Sequence, residues 1–221
     1  MREKLLQWID KYKIIAIVRG AEPGQCFRVA EALYCGGIRL MEITYDQKRP
    51  ESWQETADAI GALSREYAGK MFVGAGTVTS TKLVEMTAEA GGSFIISPDA
   101  DADVIHRTRE LELVSMPGAL TPTEIKAAHE AGADLVKIFP IGVLGPAYLK
   151  AVRAPLSHIK MTAVGGVNEK NLCDFLEAGA CGAGIGGNLV NRRWIENGEL
   201  DKITAVAEEL VRVVENYKQR R

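Results

Sequence analysis

Little in this chain is one-sided, and each missing bias removes a class of function. Basic and acidic residues nearly balance, 27 against 29 in 221 residues. No strong field exists to draw in nucleic acid or an anionic membrane surface. The longest apolar run, Ile14 to Val18, is far too short to cross a bilayer, and Met1-Arg2-Glu3-Lys4 opens without the apolar core of a signal peptide. The expected location is cytoplasmic. The four cysteines, Cys26, Cys35, Cys173 and Cys181, form no CxxC pair and no disulfide framework, so they read as reduced residues on helices or in the loops between elements. His106, His129 and His158 are scattered without ligand spacing, which gives a metal site no support. No linker, charge block or low-complexity tract divides the chain, and one domain over 1–221 is expected.

What is present is a repeating unit. Residues 1–13 form an amphipathic lead-in, with Leu5, Leu6 and Ile9 on one face of a helix that closes one end of the domain. Ile14 to Val18 is an uninterrupted apolar run of the kind a parallel strand needs when both faces are covered. A helical pattern follows from Pro23 to Tyr34 and stops at Gly36-Gly37. Further strands are expected at 38–44, 71–75, 93–97, 112–116, 135–139, 160–164 and 182–185. Helices are expected at about 50–68, 80–90, 101–110, 121–131, 146–153, 168–178 and 199–216. Glu-Ala-Gly-Gly at 89–92 and Glu-Ala-Gly-Ala at 130–133 and 177–180 each place a helix-ending glycine before the next strand. Eight strands, each followed by a helix, predict an α/β fold of the (β/α)8 TIM-barrel type. A doubly wound sheet would usually carry a GxGxxG turn after its first strand, and Arg19-Gly20-Ala21-Glu22-Pro23-Gly24 does not fit one.

Two charged residues break the apolar strands. Lys137 lies in Leu135-Val136-Lys137-Ile138-Phe139, sharing a face with Leu135 and Phe139, and no carboxylate in that strand can pair with it there. Burial lowers a lysine pKa by up to roughly 3–5 when complete, and a neutral amine attacks carbonyl carbon. The alternative is a strand-end lysine that snorkels to solvent. Glu42 lies in Leu40-Met41-Glu42-Ile43-Thr44 on the face of Leu40 and Thr44. If both strands face one interior, the pair is either a buried ion pair or a nucleophile with its acid/base partner.

Barrel chemistry sits at the C-terminal strand ends, so the residues there are candidates for binding. Arg19 ends the first strand. Gly165-Gly166 and Gly186-Gly187-Asn188 follow the last two, where backbone N–H groups commonly bind phosphate; plain turn chemistry is the alternative. Thr77 follows Gly74-Ala75-Gly76, where small residues would leave room for a ligand. It could instead cap a helix, a job open to Thr79 or Ser80. Pro98 and Pro117 stiffen loops, and Trp8, Trp53 and Trp194 read as packing residues.

With these residues in place the chain resembles the 2-keto-3-deoxy-6-phosphogluconate / 4-hydroxy-2-oxoglutarate aldolases, class I enzymes of the (β/α)8 fold. The resemblance spans nearly the whole chain. It rests on Met41-Glu42-Ile43-Thr44, Gly74-Ala75-Gly76-Thr77-Val78, Ile96-Ser97-Pro98, Met116-Pro117-Gly118, Lys137-Ile138-Phe139-Pro140, Ala163-Val164-Gly165-Gly166-Val167 and Gly186-Gly187. It implies reversible cleavage of a small-molecule 2-keto-4-hydroxy acid to pyruvate and an aldehyde, glyceraldehyde 3-phosphate or glyoxylate. Lys137 would form the Schiff base and Glu42 would be general acid/base, aided by an ordered water. Arg19, Thr77, Pro98, Phe139, Gly165, Gly166, Gly186, Gly187 and Asn188 would contact substrate. No metal or organic cofactor is implied, and family members are typically homotrimers.

This chain departs from the family pattern twice. Asp46 stands where some members carry an arginine, so Arg19 would supply the charge for the substrate carboxylate. Gly187 stands where a serine often helps hold phosphate, which leaves backbone donors but no hydroxyl. Gly145-Pro146-Ala147-Tyr148-Leu149-Lys150 and Gly182-Ala183-Gly184 are similar to the 2-keto-3-deoxy-6-phosphogalactonate branch, and an unphosphorylated keto-deoxy acid also fits. Outside this chemistry stand a phosphate-binding isomerase or epimerase without an imine, and a non-catalytic sugar-acid-binding barrel.

Overall fold

The structure is a computed structural model that describes residues Met1–Arg220. The strands are β1 (Ile14–Val18), β2 (Leu40–Thr44), β3 (Phe72–Gly76), β4 (Phe94–Ile96), β5 (Val114–Met116), β6 (Gly118–Ala119), β7 (Val136–Ile138), β8 (Met161–Val164) and β9 (Gly182–Ile185). All are parallel, in the order β5-β4-β3-β2-β1-β9-β8-β7-β6. The barrel is an eight-stranded one whose fifth strand is broken into two pieces. Proline has no N–H to give a ladder, so Pro117 interrupts the strand between β5 and β6. Its carbonyl still accepts from Lys137 N at 2.8 Å, while Ser115 O accepts from Leu135 N and Ala119 O from Phe139 N. These bonds carry the ring across from β5 to β7. The fold is a (β/α)8 TIM barrel.

The ten helices among the described residues are α1 (Arg2–Tyr12), α2 (Pro23–Cys35), α3 (Trp53–Glu66), α4 (Thr81–Glu89), α5 (Ala102–Glu110), α6 (Pro122–Glu130), α7 (Gly145–Arg153), α8 (Leu172–Glu177), α9 (Arg192–Glu196) and α10 (Leu200–Gln219). Two expected spans shrink: 50–68 is a single 3₁₀ turn followed by α3, and 168–178 is the six-residue α8. α9 has no counterpart among the expected helices, being too short to show a period. α4 is preceded by Ser80 at its cap position, so Thr77 is free of that duty. Among the described residues no helix is long and apolar enough to cross a membrane.

Alternation along the strands divides the core in two. Val18, Met41, Ile43, Val73, Ala75, Val136, Ile138 and Ala163 pack outward against the helices. Ile15, Leu40, Phe94, Ile96, Val114, Met116 and Leu135 point inward and form a second cluster with Leu5 and Ile9 of α1. α1 therefore stoppers the N-terminal end of the barrel with apolar side chains. Only the C-terminal end is left for polar groups.

Asp134, in the loop before β7, pins that stopper. Its nearly inaccessible carboxylate accepts from Ser115 N at 2.9 Å, from Arg109 Nη1 at 3.1 Å, and from the guanidinium of Arg2 on α1. Removing a buried partner leaves the others unpaired. Asp134→Ala is expected to lower unfolding free energy by about 2–4 kcal/mol, read as a lowered denaturation midpoint; an unchanged midpoint would show the network to be energetically idle.

Candidate active site

A cleft of ≈ 420 Å³ opens at the C-terminal ends of the strands. Its wall contains Arg19, Glu42, Thr77, Pro98, Lys137, Phe139, Gly165, Gly166, Gly186, Gly187 and Asn188, every residue expected from sequence to act or bind. Four more line it: Ile17, Val164, Val167 and Gly184. None of the four carries a polar signal that would single it out in sequence, although alternation alone puts Ile17, Val164 and Gly184 on the interior face.

Lys137 and Glu42 are the buried charged residues of this cleft, 7% and 2% exposed. Burial lowers the Lys137 pKa; Glu42 pulls it back up, and Arg19 pushes it further down. Burial raises the Glu42 carboxyl to about 7, against the opposing pull of Lys137 and Arg19. In each case loss of water outweighs attraction between the two, so both lean toward their neutral forms. They form no direct ion pair. Glu42 Oε2 is buried without a hydrogen-bond partner among the described residues, and Lys137 Nζ lies 4.7 Å from the centroid of the half-exposed Phe139 ring. A cation held there would draw on the ring face, whereas a neutral amine is free to react. Among the described residues no group of three or more His, Cys, Asp and Glu could hold a metal ion.

The small residues before Thr77 serve the protein rather than a ligand. A Cβ on Gly74 would meet the Phe94 ring at 2.5 Å, and one on Gly76 would meet Glu42 Oε1 at 2.3 Å. Gly76 is thus the recess that receives the Glu42 carboxyl. Thr77 itself has φ +58°, the left-handed region, which for a β-branched residue costs roughly 1–3 kcal/mol. That backbone turn brings Thr77 Oγ1 to 3.4 Å from Arg19 Nη2, which donates to it. Asp46 faces an adjoining hollow rather than this cleft. Its carboxylate is taken up by its own turn, accepting from Lys48 N at 2.9 Å and Arg49 Nε at 3.0 Å. Its charge is therefore spent on its own turn rather than on Arg19 in the cleft wall.

On the opposite wall Gly165 and Gly166 both have positive φ, +92° and +82°. A side chain at 165 would crowd the Phe139 ring, so the left-handed pair lets this turn lie against it. Asn188 Nδ2 donates to Val167 O at 2.9 Å and ties the last turn to the one before it. A Cβ at Gly187 would meet nothing within 4 Å.

A parallel barrel with a water-depleted lysine and a carboxyl at its C-terminal mouth has the layout of an enzyme site. The family model described as KDPG and KHG aldolase matches residues 6–206, and the chain belongs to that family of lyases. The chain is 37% identical over 185 residues to the 2-dehydro-3-deoxy-6-phosphogalactonate aldolase of Escherichia coli (strain K12), covering 83% of this chain and 87% of that one. It is 39% identical over 177 residues to a probable 2-dehydro-3-deoxy-6-phosphogalactonate aldolase of Rhizobium meliloti (strain 1021), covering 80% and 81%. A solved structure described as native KDPGal superposes with a TM-score of 0.84 at 33% identity, over 93% of this chain and 96% of that one.

Glu42 makes stability depend on pH. Its folded pKa, about 7, lies above its unfolded value of 4.5, so the folded state holds the proton more tightly and stability falls as pH rises between the two. Glu42→Gln removes the ionisation. The variant is expected to gain on the order of 1–3 kcal/mol over the parent at pH 8 and much less at pH 5, read from denaturant midpoints; an equal difference at both values would place the carboxylate in water.

Proposed function

We propose that this chain cleaves a 2-keto-3-deoxy-6-phospho sugar acid reversibly to pyruvate and glyceraldehyde 3-phosphate through a Schiff base on Lys137. The observation that carries this reading is the desolvated lysine sharing one cleft with a carboxyl raised to about 7. Neutral Lys137 Nζ attacks the C2 ketone to give a carbinolamine, which loses water to leave a protonated imine. Glu42, poised near neutrality, can give a proton to the departing hydroxyl and take one from the C4 hydroxyl. The C3–C4 electron pair then moves into the imine as an enamine and the aldehyde departs. Protonation at C3 and hydrolysis release pyruvate and the free amine. No metal or organic cofactor enters these steps.

Arg19 and Thr77 hold the keto acid's carboxylate by charge-assisted bonds, and Phe139 flanks the imine. Pro98 shapes the wall between them. Gly165, Gly166, Gly186, Gly187 and Asn188 offer backbone and amide donors to the distal phosphate. The phosphogalactonate names of the relatives favour the galactonate configuration at C4. The family model's own description keeps phosphogluconate and 4-hydroxy-2-oxoglutarate as the second reading. On this reading the enzyme works in the cytoplasm as a homotrimer, and the exposed apolar Val143 and Leu144 in the turn after β7 are surface that an oligomer would cover.

Pyruvate with borohydride is expected to leave a covalent adduct on Lys137, seen by peptide mass, and none on Lys137→Ala. An adduct elsewhere, or none at all, would overturn the imine. Glu42→Gln should slow cleavage by roughly 10²–10⁴-fold. Parallel assays on the two phosphorylated epimers and 4-hydroxy-2-oxoglutarate, with release of pyruvate as readout, decide the substrate.

The open space at Gly187 yields a separate expectation. Gly187→Ser should lower KM for the phosphorylated substrate by about three- to tenfold, one added hydrogen bond to a charged group, with no change for an unphosphorylated analogue. An equal effect on both would place the phosphate elsewhere.

A further inference from the structure

Thr77 is held in its unfavourable conformation from outside its own strand. The main chain on either side is anchored to the barrel: Gly76 O accepts from Tyr45 N at 2.9 Å, and Val78 N donates to Ile96 O at 3.2 Å. The carbonyl of Thr77 itself has a different partner. Gln47, in the loop after β2, donates from Nε2 to Thr77 O at 2.8 Å, and its Oε1 accepts from Thr79 Oγ1 at 2.9 Å. A carbonyl can only accept, so the amide has one orientation that satisfies both contacts. Gln47 in turn sits in a rigid turn. Asp46 accepts from Lys48 N and Arg49 Nε through its carboxylate, and from Trp53 Nε1 through its carbonyl at 2.9 Å.

We infer that Gln47 is a positioning residue for the keto acid's carboxylate: its amide locks Thr77 in the left-handed conformation that aims Oγ1 at Arg19. Without the clamp the Thr77 peptide relaxes toward negative φ, as a β-branched residue prefers, and the hydroxyl swings off the line to Arg19. Arg19 then loses the partner that fixes its guanidinium at the cleft wall. Gln47 lines the adjoining hollow, whose wall shares Arg19 and Thr77 with the cleft, and its bond toward the site is the one to Thr77 O. The inference rests on the reading of Arg19 and Thr77 as carboxylate contacts.

Borohydride trapping over a range of pyruvate concentrations tests this, because half-saturation reports carboxylate binding and the plateau reports amine reactivity. Gln47→Ala is expected to raise the half-saturating pyruvate concentration about tenfold, one charge-assisted contact, with the plateau and the thermal midpoint close to the parent's. Gln47→Glu, which sets an oxygen against the Thr77 carbonyl, should do no better. In a Thr77→Gly background the hydroxyl is gone and the left-handed turn is unstrained, so adding Gln47→Ala should cause no further rise. An unchanged half-saturation in Gln47→Ala, or the same rise in both backgrounds, overturns the inference. Failure of the parent to trap pyruvate would instead condemn the Schiff-base reading, and a Thr77→Gly variant with parental half-saturation would remove Thr77 from the site and the role of Gln47 with it.

Discussion

The site depends on two ionisable side chains being withdrawn from water into one barrel mouth. Attraction between an ammonium and a carboxylate would hold both charged and inert. Here the cost of desolvation exceeds that attraction for each, so the lysine's pKa falls and the glutamate's rises toward neutrality. Burial thus makes the amine easier to deprotonate and leaves a proton carrier poised at about 7, without any strong ion pair. Glu42 Oε2 takes no hydrogen bond from any described residue, in keeping with a carboxyl that is buried rather than locked in a pair.

Such a polar mouth is tolerable because the rest of the interior is dry. α1 drives Leu5 and Ile9 against the inward-facing residues of the strands, while Asp134 ties that helix to the loop before β7. The lysine strand is therefore braced from below by apolar packing and at its side by the Ser115, Pro117 and Ala119 carbonyls. Stability resides at one end of the barrel and chemistry at the other, the division this architecture permits. One strained residue, the left-handed and β-branched Thr77, borders the cleft, and the Gly165-Gly166 turn reaches it with glycines that take positive φ freely.

Much of this was legible in the chain, because strand alternation is local. A charged residue in the middle of an apolar run stands out, and period-two spacing puts Lys137 with Leu135 and Glu42 with Leu40 on inward faces. The repeated glycine stops set the strand–helix count, and the polar residues at strand ends converge because all the strands are parallel. Other features had no local signal. Gly76 looked like space for a ligand, yet the space is filled by a carboxyl from the neighbouring strand. Asp46 read only as the loss of an arginine, and nothing local showed that its carboxylate serves its own turn. The five-residue α9 was invisible to periodicity, and Gln47 was one exposed amide among many.

By itself the sequence determined the fold class, the position of each functional strand end and the two buried charges, since these follow from periods of two and 3.6 and from residue type. Tertiary structure alone decided which side chain fills which gap. Closing the ring sets Glu42 beside Gly76, brings Arg19 to Thr77 across fifty-eight positions and lets Gln47 reach over to the next loop. Contacts of that kind depend on strand register and on backbone angles such as the positive φ of Thr77, which many non-local packing terms impose together and no short stretch of sequence encodes.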